Sequence, residues 1–133
     1  MDESGVTESP RPSPPAARLA IQEERLADGV VLVLEGDADL HGAPDLRDRL
    51  AEEISNGAER IVVDLSGVSF IDSMALGVLL GARHRLRVLN GDLRLVVGSP
   101  DLRRIFELSL LDRVFAVDRT RGEALASFEN VGG

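Results

Sequence analysis

Asp72 and Ser73 are the neighbouring residues whose types are best suited to chemistry at a defined site. They end an apolar, strand-like segment and begin a helix-like one, within the run F-I-D-S-M-A-L-G at residues 70–77. A serine hydroxyl can act as a nucleophile. Serine and aspartate also commonly cap helices, because their oxygens accept hydrogen bonds from free backbone N–H groups. Residue type alone therefore leaves helix capping and a functional serine equally open.

Nucleophilic catalysis would require a base and an orienting acid beside the serine. His41 and Asp39 in the preceding loop would supply both, which makes a small α/β hydrolase one alternative. However, Ser73 lacks the Gly-x-Ser-x-Gly turn that exposes the nucleophile in such enzymes. We therefore expect a protein that is not an enzyme and has no catalytic residues.

The composition argues against metal and nucleotide chemistry. The chain has no cysteine and only two histidines, which are far apart in sequence, so a thiolate or histidine metal site is not expected. The acids Asp37, Asp39 and Asp45 suggest Mg²⁺, but loop and cap carboxylates explain them more simply. Because the chain has no lysine, it also lacks the phosphate-binding loop Gly-x-x-x-x-Gly-Lys. We expect no metal and no cofactor.

The charge and hydropathy of the chain limit the partners. The net charge is −8, and a uniformly acidic surface disfavours direct nucleic-acid binding. No apolar stretch approaches the roughly 20 residues that cross a bilayer. The first residues are acidic, unlike a secretion signal. These features predict a cytoplasmic protein with protein partners and no membrane association.

The elements that must position Asp72 and Ser73 can be predicted from turn and cap signals. Residues 1–15 contain four of the six prolines and few apolar residues, which predicts a disordered Pro/Ser-rich tail before one domain at residues 16–130. A recognition arm with its own phosphorylation sites is the alternative for this tail. The domain is predicted to be a hairpin followed by alternating helices and strands. The predicted strands after the hairpin are residues 60–65, 93–97 and 114–117, and the predicted helices begin near residues 43, 73, 99 and 121.

This order predicts an α/β fold: a small mixed, mostly parallel sheet with an N-terminal hairpin, packed by about four helices. Sites in such sheets lie at the carboxyl ends of the strands. Two predicted loops lie at the carboxyl ends of strands and are therefore candidate sites, at residues 36–42 and 70–77.

The helix after Ser73 carries apolar residues on two sides. One side of the helix forms the expected core stripe, which includes Ala75, Leu79, Leu86 and Leu89. Leu76 and Leu80 lie outside this stripe. Those two leucines pack on a neighbouring helix or join Met74, Gly77 and Gly81 in a docking surface. Each helical glycine costs roughly 1 kcal/mol, which indicates close approach by another group. Near the end of the helix, His84 and the arginines around it are typical of a solvated face, and a phosphate site is the alternative.

Three segments resemble STAS domains of anti-anti-sigma factors. R-I-V-V-D-L-S-G-V-S-F-I-D-S-M-A-L-G-V-L-L-G-A (residues 60–82) resembles the family's central strand, Asp-Ser or Asp-Thr pair and glycine-rich helix. E-G-D-A-D-L-H-G-A-P-D-L-R (35–47) resembles its loop and first helix, and S-P-D-L-R-R-I-F-E-L-S-L-L-D-R-V-F (99–115) resembles its third helix and last strand. The resemblance covers everything except the N-terminal tail.

The resemblance implies an anti-anti-sigma factor that binds an anti-sigma factor serine kinase, releases a sigma factor and is switched off by phosphorylation at Ser73. It also implies that the following residues take part in partner binding: Asp39, Asp72, Met74, Ala75, Leu76, Gly77 and Gly81. Met74 and Ala75 depart from the family, which commonly has a second Ser or Thr and then Gly. A monomer or weak dimer is expected. The alternative is a scaffold subunit, or a nucleotide- or lipid-binding module, in another signalling assembly.

Overall fold

A computed structural model describes residues 19–132 of the chain, so the predicted tail at residues 1–15 lies outside the described residues. Five strands and four α-helices follow one another in the described part. In chain order they are β1 (Ala20–Arg25), β2 (Gly29–Ala38), α1 (Ala43–Ser55), β3 (Arg60–Ile71), α2 (Ser73–Val88), β4 (Asp92–Val96), α3 (Pro100–Leu108), a 3₁₀ turn (Leu111–Arg113), β5 (Ala116–Asp118) and α4 (Arg121–Gly132). The predicted α/β order is confirmed.

The five strands form one sheet in the order β1-β2-β3-β4-β5. Strand β1 is antiparallel to β2 through the predicted hairpin, and the other neighbouring strands are parallel. Strand β3 is central, and its residues Ile61, Val62 and Val63 are fully buried, as expected for a strand covered on both faces. The mixed, mostly parallel sheet predicted from the alternation of elements is therefore correct.

The two faces of the sheet carry unequal cores. On one face, helices α1, α2 and α3 cover the larger cluster, in which strand residues such as Leu32 meet helix residues such as Leu46 and Phe106. On the other face, α4 packs Ala124 and Phe128 against a small valine cluster. The three helices on the first face all begin at the edge where the parallel strands end, which brings their first turns together.

Several element boundaries differ from the sequence-based predictions. Strand β3 does not end at Leu65 but continues to Ile71, through two register shifts against β2. Helix α3, which the sequence predicts to run through Leu110, ends at Leu108, and Leu110 adopts a left-handed backbone conformation with φ of 62°. Leu89, predicted in the core stripe of α2, is 60% exposed because the helix has already ended at Val88.

A buried carboxylate ties α4 to the sheet. Asp64 on β3 accepts a hydrogen bond of 2.8 Å from Nε of Arg121, the first residue of α4. Its other oxygen accepts from the Ser66 backbone N–H at 2.9 Å. Burial by itself raises the pKa of Asp64, but the hydrogen bonds from Arg121 and Ser66 outweigh it and hold the pKa below its usual value.

Replacing Arg121 by alanine should destabilise the fold by about 1–2 kcal/mol at neutral pH, since a charge-assisted hydrogen bond to a buried carboxylate is lost from a partly exposed arginine. The pKa of Asp64 is depressed in the folded state, so this stabilisation is present above the unfolded-state pKa near 4 and is lost as the pH falls through the folded-state value. Urea unfolding of wild type and Arg121→Ala between neutral and acidic pH should therefore give curves that converge below about pH 4. A similar loss in Arg119→Ala would contradict this assignment.

Candidate functional site

The two predicted loops meet at the carboxyl edge of the sheet. Ala38, the last residue of β2, pairs with Ile71, the last residue of β3. The Asp72 backbone N–H then donates to the Ala38 carbonyl at 3.0 Å, so the pairing extends to the first residue after the strand. Asp39 and Asp72 therefore leave the sheet side by side, and the loop of residues 36–42 lies next to the first turn of α2.

The two aspartates hold the backbone of this edge. The Asp72 carboxylate caps α2 by accepting from the Ala75 backbone N–H at 3.0 Å. The Asp39 carboxylate accepts from the His41 N–H at 3.0 Å and the Gly42 N–H at 3.3 Å, which closes the turn before α1. Each carboxylate thus stabilises the backbone at or just before the start of a helix, and together they constrain the two loops next to Ser73.

Ser73 is the first residue of α2 and its side chain is exposed. Since Asp72 is the cap, the capping explanation that residue type left open does not apply to the Ser73 hydroxyl. Within the described residues that hydroxyl has no hydrogen-bond partner. No residue in the described part of the chain therefore constrains the Ser73 hydroxyl by a hydrogen bond, and the residue is exposed.

Three exposed apolar side chains lie on the loops and the strand end that lead to Ser73. Leu40, Phe70 and Met74 are 56%, 52% and 58% exposed. Met74 was predicted as part of a binding surface, whereas Leu40 and Phe70 were missed. The alternation of β3 contains a signal for Phe70, because Ile71 points into the core and its neighbour must point outward. Exposed apolar groups bordered by polar residues are typical of protein-binding sites.

The other predicted contact residues on α2 divide into buried and exposed ones. Ala75 is fully buried and points into the core three residues after the cap, as its place in the predicted core stripe indicates, so its side chain is not exposed at this surface and its part in partner binding stays a prediction. Leu76 is half-buried and packs against the same core. Leu80 is 44% exposed. The off-stripe leucines thus have different environments, and Leu76 presents only part of its side chain to the surface.

Gly77 and Gly81 lie on the exposed side of α2. A methyl group placed on either glycine would meet no other group within 4 Å. The close approach predicted from these glycines is therefore not made by any residue in the described part of the chain. Together with Met74 and Val78 they line a groove of about 370 Å³ between α1 and α2.

The hydrolase alternative has little geometric support. His41 is exposed, and its Nδ1 lies 3.8 Å from Asp39 Oδ1, an oxygen already engaged by two backbone N–H groups. No hydrogen bond joins His41 to Ser73 in the described part of the chain. Among the described residues, no three His, Asp or Glu side chains converge in a way that would hold a metal ion. No helix of residues 19–132 is long and apolar enough to cross a membrane.

Comparison with known proteins places this geometry in a family. Residues 20–124 match the family model described as STAS domain, inside the predicted domain of residues 16–130, whose outer limits stay a prediction. The chain is 34% identical to the anti-sigma-B factor antagonist of Listeria monocytogenes over 103 residues, which cover 76% of this chain and 89% of the relative. The name of that relative describes a regulator of another protein.

Two solved structures share the fold over nearly their whole length. An anti-sigma factor antagonist from Mycobacterium paratuberculosis has a TM-score of 0.76 and 26% identity, covering 86% of this chain and 97% of that one. The Bacillus cell fate determinant SpoIIAA in its phosphorylated form has a TM-score of 0.63 and 30% identity, covering 82% and 99%. The second protein is thus one whose phosphorylated form has itself been solved.

Proposed function

The chain belongs to the STAS domain family, and we propose that it is an anti-sigma factor antagonist switched by phosphorylation of Ser73. In its unmodified form it binds an anti-sigma factor that is also a serine kinase, and a sigma factor is thereby released. The kinase supplies ATP and Mg²⁺, and this chain supplies the phosphate acceptor and the docking surface. The phosphorylated form no longer binds.

The observation that carries this proposal is the exposed hydroxyl of Ser73, which has no hydrogen-bond partner among residues 19–132, beside a neighbour that caps the helix. A kinase must reach its acceptor and remove its proton, so a hydroxyl engaged in the fold would be a poor substrate. Here the Asp72 carboxylate bonds to the Ala75 N–H, and the Ser73 hydroxyl remains accessible to solvent.

The first turn of α2 can accept a phosphate without loss of the fold. A helix N-terminus carries a partial positive charge and free backbone N–H groups, so an anion there is favoured by roughly 1–2 kcal/mol at most. Phosphorylation adds about −1.5 to −2 charge at neutral pH. We expect the domain to keep its structure when Ser73 is modified, so that only the surface changes.

The docking surface for the proposed partner consists of groups on two loops and on one side of α2, around Ser73. Its members are Asp39, Asp72, Met74, the exposed part of Leu76, Gly77 and Gly81. Ala75 is left out because it is buried. Met74 replaces a polar residue common in the family, so the partner should present an apolar contact at this point.

Phosphate mapping tests the proposal directly. The tagged chain is purified from its source cells with its bound partner, the pair is incubated with ATP and Mg²⁺, and the modified residue is located by mass spectrometry. We expect the phosphate on Ser73 and its loss in Ser73→Ala. Ser69→Ala, which removes another exposed serine from β3, should be labelled like wild type. Labelling of Ser73→Ala to the wild-type level would refute the proposal.

A further inference from the structure

The groove between α1 and α2 is an apolar surface that opens beside Ser73. Leu50, Val78 and Met74 are among its lining residues, and Met74 follows the exposed serine directly in the chain. It extends from Met74 to Arg85, eleven residues along α2, which corresponds to about 16 Å or three helical turns. The groove is therefore long enough for a helical segment and is continuous with the proposed docking surface.

Two arginines line this groove in a protein that is otherwise acidic. The net charge of the chain is −8, yet Arg47 on α1 and Arg85 on α2 both line the groove and both are exposed. Arg47 is 3.8 Å from Asp48, but both of these side chains are largely solvated. Arg85 forms no ion pair with any residue between 19 and 128. These two guanidinium groups are thus available to carboxylates of another molecule.

The α2 side of the groove leaves room for another helix to approach closely. Gly77 and Gly81 are four residues apart and so lie on one side of α2. Apart from the adjacent residues and the backbone of α2 itself, no described group lies within 4 Å of the position that a Cβ atom would take at either glycine. A second helix can therefore approach the α2 backbone closely here, with its own side chains between those of α1 and α2.

From this combination we propose that the α1–α2 groove binds an acidic amphipathic helix of the partner protein. The apolar face of that helix packs on Met74, Val78 and the two glycines, and its carboxylates pair with Arg47 and Arg85. This rests on the proposed function and specifies the chemistry of the partner. It also explains the sign of the switch, because a phosphate on Ser73, the residue before Met74 of the groove, repels an acidic helix.

A synthetic helix tests the groove without the natural partner. The probe is a peptide of about 15 residues, roughly four helical turns, with leucine and alanine on one face and glutamate on the other. It is titrated into the ¹⁵N-labelled chain, and amide shifts are followed by NMR. We expect shifts confined to residues lining the groove, and at least a tenfold weaker response to a peptide with glutamine in place of glutamate.

Charge reversal identifies the two arginines. We expect Arg47→Glu and Arg85→Glu each to raise the dissociation constant of the acidic peptide roughly tenfold, since each change replaces attraction by repulsion. Arg104→Glu makes the same charge change on an exposed position of α3, outside the groove, and should change the constant less than about twofold. Equal effects of all three variants, equal binding of the glutamine peptide, or shifts centred on α3 would each overturn the proposal.

The same variants separate this proposal from the proposed function. If the natural partner responds to Ser73→Glu but binds Arg47→Glu and Arg85→Glu like wild type, the groove proposal fails and the switch remains. If the acidic peptide binds the groove but Ser73→Glu leaves partner affinity unchanged, the switch fails and the groove remains. Groove shifts that grow with the concentration of the chain alone would identify a second copy as the occupant and overturn the proposal.

Discussion

Phosphorylation of Ser73 should weaken binding of the anti-sigma factor at least 100-fold. A partner carboxylate about 5 Å from the phosphate, at an effective dielectric constant near 20, is repelled by about 3 kcal/mol for each unit of charge. Docking would also require burial of an anion against the apolar contacts of Met74. Since about 1.4 kcal/mol corresponds to tenfold, the repulsion alone accounts for two decades of affinity.

The measurement is a titration of the purified anti-sigma factor with Ser73→Ala and Ser73→Glu variants and with the phosphorylated protein. Ser73→Ala should bind within about threefold of wild type, whereas Ser73→Glu should lose most of the two decades. Ser55→Glu is the matched control, because it adds the same charge at the end of α1, about 18 Å from the start of that helix. Equal affinity of Ser73→Ala and Ser73→Glu would remove Ser73 from the switch.

Loss of folding would not explain such a result. An acid at the first position of α2 interacts favourably with the helix dipole, so Ser73→Glu should be as stable as wild type or up to about 1 kcal/mol more stable. Urea unfolding of the variants checks this point. A strongly destabilised Ser73→Glu variant would show that the first turn of α2 is constrained in a way that the exposed hydroxyl does not indicate.

The second large effect is on stability, and it concerns the replacement of glycine by alanine at positions 29 and 81. Gly29→Ala should destabilise the domain by about 3 kcal/mol, because the new methyl group would lie 1.7 Å from the carbonyl oxygen of Arg60 and must push apart two paired strands. Gly81→Ala should stabilise it by roughly 0.5–1 kcal/mol, because the methyl group enters open space on a helix and alanine has the higher helix propensity.

Thermal or urea unfolding of the two variants measures both changes. Gly91→Ala is expected to be destabilising for the same reason as Gly29→Ala, since its methyl group would lie 2.3 Å from the carbonyl oxygen of Glu59. If Gly81→Ala is destabilising, some group outside the described residues approaches α2 even in the isolated chain. If Gly29→Ala is neutral, the start of β2 is looser than its pairing with Arg60 indicates.

The fold was largely predictable because local signals agree with the global arrangement. The Asp28-Gly29 turn, the proline at the start of α1 and the continuous apolar run of β3 each specify one element, and right-handed crossovers then restrict the topology. Boundaries were less predictable. The end of β3 at Ile71 depends on pairing with Ala38, a contact between residues distant in sequence that no local pattern contains.

The position of the candidate site was predictable from the sequence, but the set of side chains exposed there was only partly predictable. The strand-to-helix turn at Asp72 and Ser73 follows from sequence, since parallel strands place such turns at one edge. The exposure of Leu89, Leu40 and Phe70 depends on where α2 ends and on how the loops pack against the sheet. Helical periodicity gives the rotation of a helix to within a residue or so, and that margin decides whether a side chain meets the core or a partner.

The sequence by itself determined the α/β order, the loop that carries Ser73 and the resemblance to the STAS family, because each depends on residues that are close together in the chain. Only the tertiary structure decided that Asp72 is the cap and Ser73 the exposed hydroxyl, since that requires the coordinates of the Ala75 N–H. The structure also brought Arg47 and Arg85 to one groove, from helices that are separate in sequence and become neighbours only when both pack on the same face of the sheet.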